Sequence, residues 1–242
     1  MGLRLFVDFD GTITRTDVGN ALFARFGGTA ATEAVKEYRE GRRSAQECFR
    51  AEAQAMDGSS PDEVYDFIDG QEIDPEFVKF AAWCRSTALP LTVVSDGLDL
   101  YVGRILGNAG LDGMLRYSNR ASLTTSHDRI GARLELEFPF ADAVCTRCAC
   151  CKRNIMLTHA GEDDIICYIG DGFSDFCPVQ YADVVFAKGE LQSFCQTMNI
   201  SYYPYSTFAD VQRRLEGLRG RRRLSHRRAA AAMRQRAFRE ES

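Results

Sequence analysis

Four short runs in this chain carry the side chains that phosphoryl chemistry needs. Asp8-Phe9-Asp10-Gly11-Thr12 sets two carboxylates two residues apart, and Val94-Ser95-Asp96-Gly97 offers a hydroxyl beside a tight turn. Lys152 supplies a cation, and Gly170-Asp171-Gly172-Phe173-Ser174-Asp175 adds two more carboxylates. Mg2+ takes one or two carboxylates together with phosphate and water; Asp8 and Asp171 can supply them, with Asp175 nearby. Ser95, Lys152 and the amides of the Asp96-Gly97 turn can hold the equatorial oxygens of a phosphoryl group, with a carboxylate as nucleophile. A lone DxD or GDG is a common turn or helix cap. All four runs in this order read as one phosphoryl-transfer site.

The elements that must position these residues can be read from hydrophobic spacing. Leu3 to Phe9, Leu89 to Val94, Ile165 to Ile169 and Val184 to Phe186 are short apolar runs without helical period, hence buried strands. Helical spacing runs from Asp17 to about Phe80, then over Leu98–Ala109, Lys152–Ala160, Ser174–Tyr181 and Leu191–Met198, with a short β excursion between Met114 and Phe140. Strands alternating with helices predict an α/β fold, a Rossmann-like parallel sheet with helices on both faces and a small helical cap inserted after the first strand. Such sheets bind ligands at the carboxyl ends of their strands, where Asp8, Ser95 and Asp171 fall. The expected organisation is a core of residues 1–14 and 85–212, a cap over 15–84, and a flexible basic tail over 213–242. Trp83, with Phe77 and Phe80, marks the insert's return to the core.

The chain has 242 residues, 45% hydrophobic and 26% charged, an ordinary globular composition with no run of apolar residues long enough to span a membrane. No signal peptide is evident, so a cytoplasmic location is expected. The net charge of −4 is unevenly spread: eleven Arg and three Glu from Arg213 onward give the tail +8, leaving −12 for the rest. An acidic body is a poor nucleic-acid binder, so any polyanion contact belongs to the tail. A homodimer is compatible with this composition. Of nine cysteines, Cys145, Cys148, Cys150 and Cys151 crowd into seven residues. They read either as a zinc site or as a reduced, tightly turned loop, and in both cases they place Lys152, which follows directly. His127 and His159 lack metal-ligand spacing and read as surface or packing residues.

Over residues 6–176 the four runs resemble the motifs of the haloacid dehalogenase superfamily of phosphatases. The resemblance implies that Asp8 attacks phosphorus, that Asp10 is general acid and base, and that Mg2+ is held by Asp8, the main-chain carbonyl of Asp10 and Asp171. It also implies catalytic or phosphate-binding roles for Ser95 and Lys152. The insert matches the small cap of phosphoserine phosphatase relatives, with Asp17 where those enzymes place an acidic residue near substrate. Arg42, Arg43 and Arg50 give no clear match for a residue binding phosphoserine's carboxylate. Val94-Ser95-Asp96-Gly97, Phe138-Pro139-Phe140 and the cysteine run ending in Lys152 look like the methionine-salvage phosphatase group. Asp175-Phe176-Cys177-Pro178 after Gly170-Asp171-Gly172 looks like the phosphocholine and phosphoethanolamine phosphatases. The implied partner is a small phosphorylated metabolite. A phosphotransferase, or a binding or redox-regulatory protein on a phosphatase fold, is the rival reading.

Overall fold

Alternation along the central strands creates two cores. In Leu3–Val7 (β1), Leu91–Leu98 (β2), Ile165–Gly170 (β5) and Val184–Ala187 (β6), successive side chains point to opposite faces of the sheet. Leu5, Val7, Val93, Cys167, Ile169 and Phe186 pack into one cluster. Phe6, Val94, Ile166, Tyr168 and Val185 pack into the other. The computed structural model describes residues 2–56, 58–125, 132–219 and 224–240. It completes the sheet with Arg116–Thr125 (β3), Ala132–Glu137 (β4) and Tyr203–Pro204 (β7), in the order β4-β3-β2-β1-β5-β6-β7. Every pairing is parallel except the β3–β4 hairpin. His127, between those two strands, lies outside the described residues. His159 packs against Tyr117, ring centroids 4.9 Å apart and tilted by 39°.

Four helices lie between β1 and β2: Val18–Arg39 (α1), Ala45–Ala55 (α2), Pro61–Asp69 (α3) and Pro75–Ser86 (α4). Asp17, Ser44, Ser60 and Asp74 accept a first-turn amide and fix where each begins. Gly28, at φ +59°, bends α1 in a conformation that glycine adopts without a Cβ clash. Phe77 and Phe80 on α4 pack on Phe208, with ring centroids 4.8 and 5.3 Å away, at the start of Phe208–Arg219 (α8). The expected insert boundary at 84 therefore falls inside a helix already in the core with Leu5 and Val7. Asp99–Asn108 (α5), Lys152–His159 (α6) and Gly189–Thr197 (α7) complete the crossovers.

Two expectations are corrected. The predicted helix Ser174–Tyr181 is instead a pair of 3-10 turns, Phe173–Asp175 and Pro178–Gln180. Asp175 turns its carboxylate back onto the amides of Asp171 and Gly172, and Pro178 has no N–H to continue a helical ladder. The predicted flexible tail is largely helical: α8 extends to Arg219, and Arg228–Glu240 forms α9. The reason is a buried acid. The Asp183 carboxylate accepts from the amides of Ile166 and Arg227 and from the Arg234 guanidinium, while Arg227 caps the carbonyls of Val179, Gln180 and Ala182. Residues 220–223, 241 and 242 lie outside the described residues. Among the described residues no helix is long and apolar enough to cross a membrane.

Candidate active site

Because β1 is flanked by β2 and β5 in parallel, the carboxyl ends of three strands share one edge, and Asp8, Ser95 and Asp171 meet there. Lys152 reaches them from the first residue of α6. Its Nζ lies 2.5 Å from Asp8 Oδ1, 2.7 Å from Asp175 Oδ1 and 2.8 Å from Ser174 Oγ. These three acceptors match the three N–H groups of an ammonium. The side chain is only 1% exposed and Asp8 only 4%. Burial alone would push the Lys152 ammonium down, but Asp175 and Asp8 hold it well above its ordinary value. Burial, then the charge of Asp175, raises Asp8, and Lys152 opposes both. Asp175 is fully engaged: Tyr168 OH donates to Oδ1 at 2.6 Å and the Asp171 and Gly172 amides donate to Oδ2. A Cβ at Gly170 would sit 2.3 Å from that Oδ2, so only glycine fits there.

Asp10 sits in a different environment. The amides of Val18 and Gly19, at the start of α1, donate to its Oδ1 at 3.0 and 3.2 Å. Tyr101 OH at 3.0 Å and Ser95 Oγ at 3.3 Å donate to its Oδ2. Burial, and next the nearby charge of Asp17, pushes the Asp10 carboxyl up to about 7, which suits an acid-base group at neutral pH. A Cβ on Gly97 would lie 1.8 Å from the Tyr101 hydroxyl and 2.7 Å from Asp10 Oδ2, so Gly97 makes room for this cradle. Asp17 is the N-cap of α1, accepting from the backbone and side chain of Asn20, and it also lines the cavity above.

Asp8, Asp171 and Asp175 each offer a carboxylate oxygen within 4.8 Å of the others. Thr12 Oγ1 donates to Asp171 Oδ1 at 2.7 Å and orients it. Burial, then Asp175, raises Asp171 to about 6. Three crowded carboxylates facing one lysine form a hard-oxygen set with surplus negative charge, and they fit a divalent cation of the Mg2+ type. Among the described residues this is the one group of three or more ligand-type side chains that converges. The thiols of Cys145, Cys148, Cys150 and Cys151 do not, so the zinc expectation finds no support. Cys150 and Cys151 are buried in packing while Cys145 and Cys148 are half-buried.

What holds that loop is a carboxylate missed as a side-chain contributor. Asp96 Oδ1 accepts from the amides of Ala149 at 2.9 Å and Cys150 at 2.7 Å, and Cys151 N donates to Phe140 O at 2.8 Å. Asp96 thus ties the chain just ahead of Lys152 to the end of β2. Loosening it displaces the ammonium, and misplacements of about 1 Å can cost about 100-fold in rate. Asp96→Ala should lower kcat about 10- to 100-fold with a smaller change in KM. A variant with lowered Tm but unchanged kcat would make Asp96 only a structural tie.

Above these groups lies a cavity of about 400 Å³. Ala45, Cys48, Phe49 and Glu52 line it from one face of α2, at the three- and four-residue spacing of a helical stripe. Phe23 and Tyr38 of α1 face it too. Tyr38 OH donates to Arg147 O at 2.6 Å, and Ala45 N to Thr146 O at 3.0 Å, fastening α1 and α2 to the cysteine loop. The insert arginines are used elsewhere: Arg42 pairs with Glu40, Arg43 with Glu37, and Arg50 lies over the Phe138 ring. Arg39 reaches the rim, where it pairs with Glu190 and lies over Phe173. Tyr101, Tyr168 and Glu52 escaped the sequence reading, since a tyrosine or glutamate inside an apolar pattern carries no motif.

The family described as "Putative Phosphatase" matches residues 3–205. A 2-hydroxy-3-keto-5-methylthiopentenyl-1-phosphate phosphatase of Exiguobacterium sibiricum is 32% identical over 218 residues, 87% of this chain and 95% of that protein. One of the same name from Lysinibacillus sphaericus is 29% identical over 85% of this chain and 90% of its own. Among solved structures, a phospho-aspartyl intermediate analogue of phosphoserine phosphatase superposes with a TM-score of 0.57 at 19% identity, covering 80% of this chain and 90% of that one. A phosphoserine phosphohydrolase-like protein of Francisella tularensis gives a TM-score of 0.61 at 14% identity, covering 87% and 98%. With the haloacid dehalogenase fold in its sheet and a family match running through all four motifs, this chain belongs to the "Putative Phosphatase" family and is a phosphatase.

Proposed function

We propose that the chain hydrolyses a small phosphomonoester through an aspartyl-phosphate on Asp8, with a substrate of the kind its relatives are named for, 2-hydroxy-3-keto-5-methylthiopentenyl-1-phosphate. The observation that carries this reading is the contrast between two carboxylates two residues apart. Asp8 is ion-paired to Lys152, whereas the partners of Asp10 are the neutral amides of Val18 and Gly19 and the hydroxyls of Tyr101 and Ser95, and burial raises its carboxyl to about 7. One is kept as a nucleophile and the other as a proton carrier.

An Asp8 carboxylate oxygen attacks phosphorus as the ester P–O bond breaks, and Asp10 gives its proton to the departing alkoxide. Asp10, now ionised, takes a proton from water, whose oxygen attacks the phosphoaspartate and restores Asp8 with release of phosphate. Ser95, at the irregular end of β2 where the Gly97 amide donates to its Oγ, would hold the phosphoryl oxygens together with the neighbouring backbone, and Lys152 offsets charge at Asp8. Asp8 and Asp171, with the Asp10 carbonyl and with Asp175 behind them, would hold Mg2+. The ion supplies charge stabilisation of the phosphoryl oxygens when bound. Helices α1 and α2 act as the cap, excluding bulk water so that the intermediate meets only the water Asp10 activates.

The test is phosphate release, with and without Mg2+, from the 2-hydroxy-3-keto-5-methylthiopentenyl ester, phosphoserine and phosphocholine. The expected result is Mg2+-dependent release, fastest from the first by about tenfold or more. Absence of release from all three, or preference for phosphoserine, would overturn the reading.

A further inference from the structure

We propose that Glu52 is the specificity residue of this cavity, exchanging a hydrogen bond with an uncharged hydroxyl or carbonyl oxygen of the leaving group, while Asp17 beside it turns away phosphomonoesters that carry a carboxylate. The proposal rests on the phosphatase reading above and names its substrate class.

Glu52 is the one acid on the cavity-facing stripe of α2, whose other members are Ala45, Cys48 and Phe49. It is 4% exposed, and among the described residues no cation pairs with it. Its partner is the Cys48 thiol, a weak donor one turn back on the same helix. Burying a carboxyl with so little compensation is costly, and a leucine or methionine would pack this stripe better. A ligand oxygen in the cavity supplies the missing partner. Burial first, opposed by the Cys48 thiol, and then the charge of Asp17 take the Glu52 carboxyl to about 8, so the neutral acid predominates at neutral pH and can both donate and accept. Phe23, Phe49 and Val35 offer apolar surface to the rest of the leaving group. A substrate carboxylate would meet the charge of Asp17, and Arg39, the one cation among the described lining residues, pairs with Glu190.

The experiment compares wild type, Glu52→Gln and Glu52→Leu on three esters: the 2-hydroxy-3-keto-5-methylthiopentenyl ester, phosphoserine, and phenyl phosphate, whose leaving group has no further oxygen. Glu52→Gln, which also donates and accepts, should hold KM for the first ester within about threefold, whereas Glu52→Leu should raise it about tenfold or more at nearly constant kcat. Phenyl phosphate turnover should be alike in all three proteins, which shows that the variants fold and the core chemistry runs. Wild type inactive on phenyl phosphate and on the other two esters would mean that the phosphatase reading has failed. Active enzyme whose KM for the first ester is unmoved by Glu52→Leu would overturn the Glu52 assignment alone. So would a Glu52→Gln loss equal to that of Glu52→Leu, which would mean that the carboxyl group itself and not a neutral hydrogen bond is required, or phosphoserine turnover matching the first ester in wild type.

Discussion

Asp8→Asn should lower turnover by about 10⁴-fold or more while the protein remains folded. The carboxamide has nearly the shape of the carboxylate but no nucleophilic oxygen of comparable strength. Lys152 would keep two of its acceptors, Asp175 Oδ1 and Ser174 Oγ, so the ammonium stays partnered. The same change removes one of three crowded acids, since burial and the charges of Asp175 and Asp171 already raise Asp8. Loss of an ion pair and relief of repulsion oppose each other, so Tm should move by no more than a few degrees, roughly the span of a 1–2 kcal/mol change. Two readouts check this: steady-state phosphate release, and covalent phosphate on acid-quenched protein, present in wild type and absent in the variant. A folded Asp8→Asn protein that turns over within about tenfold of wild type would place the nucleophile elsewhere.

The contrast between Asp8 and Asp10 also marks what a sequence can reveal. Their identity and two-residue spacing were legible, because a strand ending in DxD puts both at one sheet edge. The strand pattern, the crossover helices and the β excursion after Met114 followed from hydrophobic period alone, which reports which face is buried. What period does not report is the fate of a polar atom. Asp96 looked like part of a phosphate-binding turn, yet its side chain holds the Ala149 and Cys150 amides, a partnership fifty residues away in sequence. Glu52 carries no signal in the sequence because its neighbours are mixed, and only the packing of α1 on α2 turns its face inward. The run Ser174–Tyr181 has helical spacing, but Asp175 and Pro178 divide it into two tight turns. The cysteines left zinc and a reduced loop both open for a related reason: closeness along the chain says nothing of whether four sulfur atoms point to one centre. The arginine tail misled through its charge, since the partner that anchors it, Asp183, lies in the loop before β6.

Lys152→Met should damage stability and activity together. The methionine fills most of the lysine's volume but leaves Asp8 and Asp175 facing each other, buried, with Asp171 beside them and no ammonium. Breaking a buried pair by removing one partner costs about 3–5 kcal/mol, which for a chain of this size lowers Tm by roughly 10 °C. The sign of the pH dependence follows from the raised acids. Asp171 is already at about 6 and Asp8 is above its ordinary value, and loss of the cation raises both further. A carboxyl whose folded value is raised favours the folded state below its unfolded value near 4, and that contribution is lost as pH rises through the folded value. The Tm deficit of Lys152→Met relative to wild type should therefore widen from about pH 5 to pH 8. Mg2+ should raise the Tm of the variant more than that of wild type, because it meets a site with one more uncompensated charge. Thermal denaturation at three pH values, with and without Mg2+, tests both statements. A deficit that stays constant with pH would mean that the lysine contributes packing and not charge, and that the acids around it are neutralised by other means.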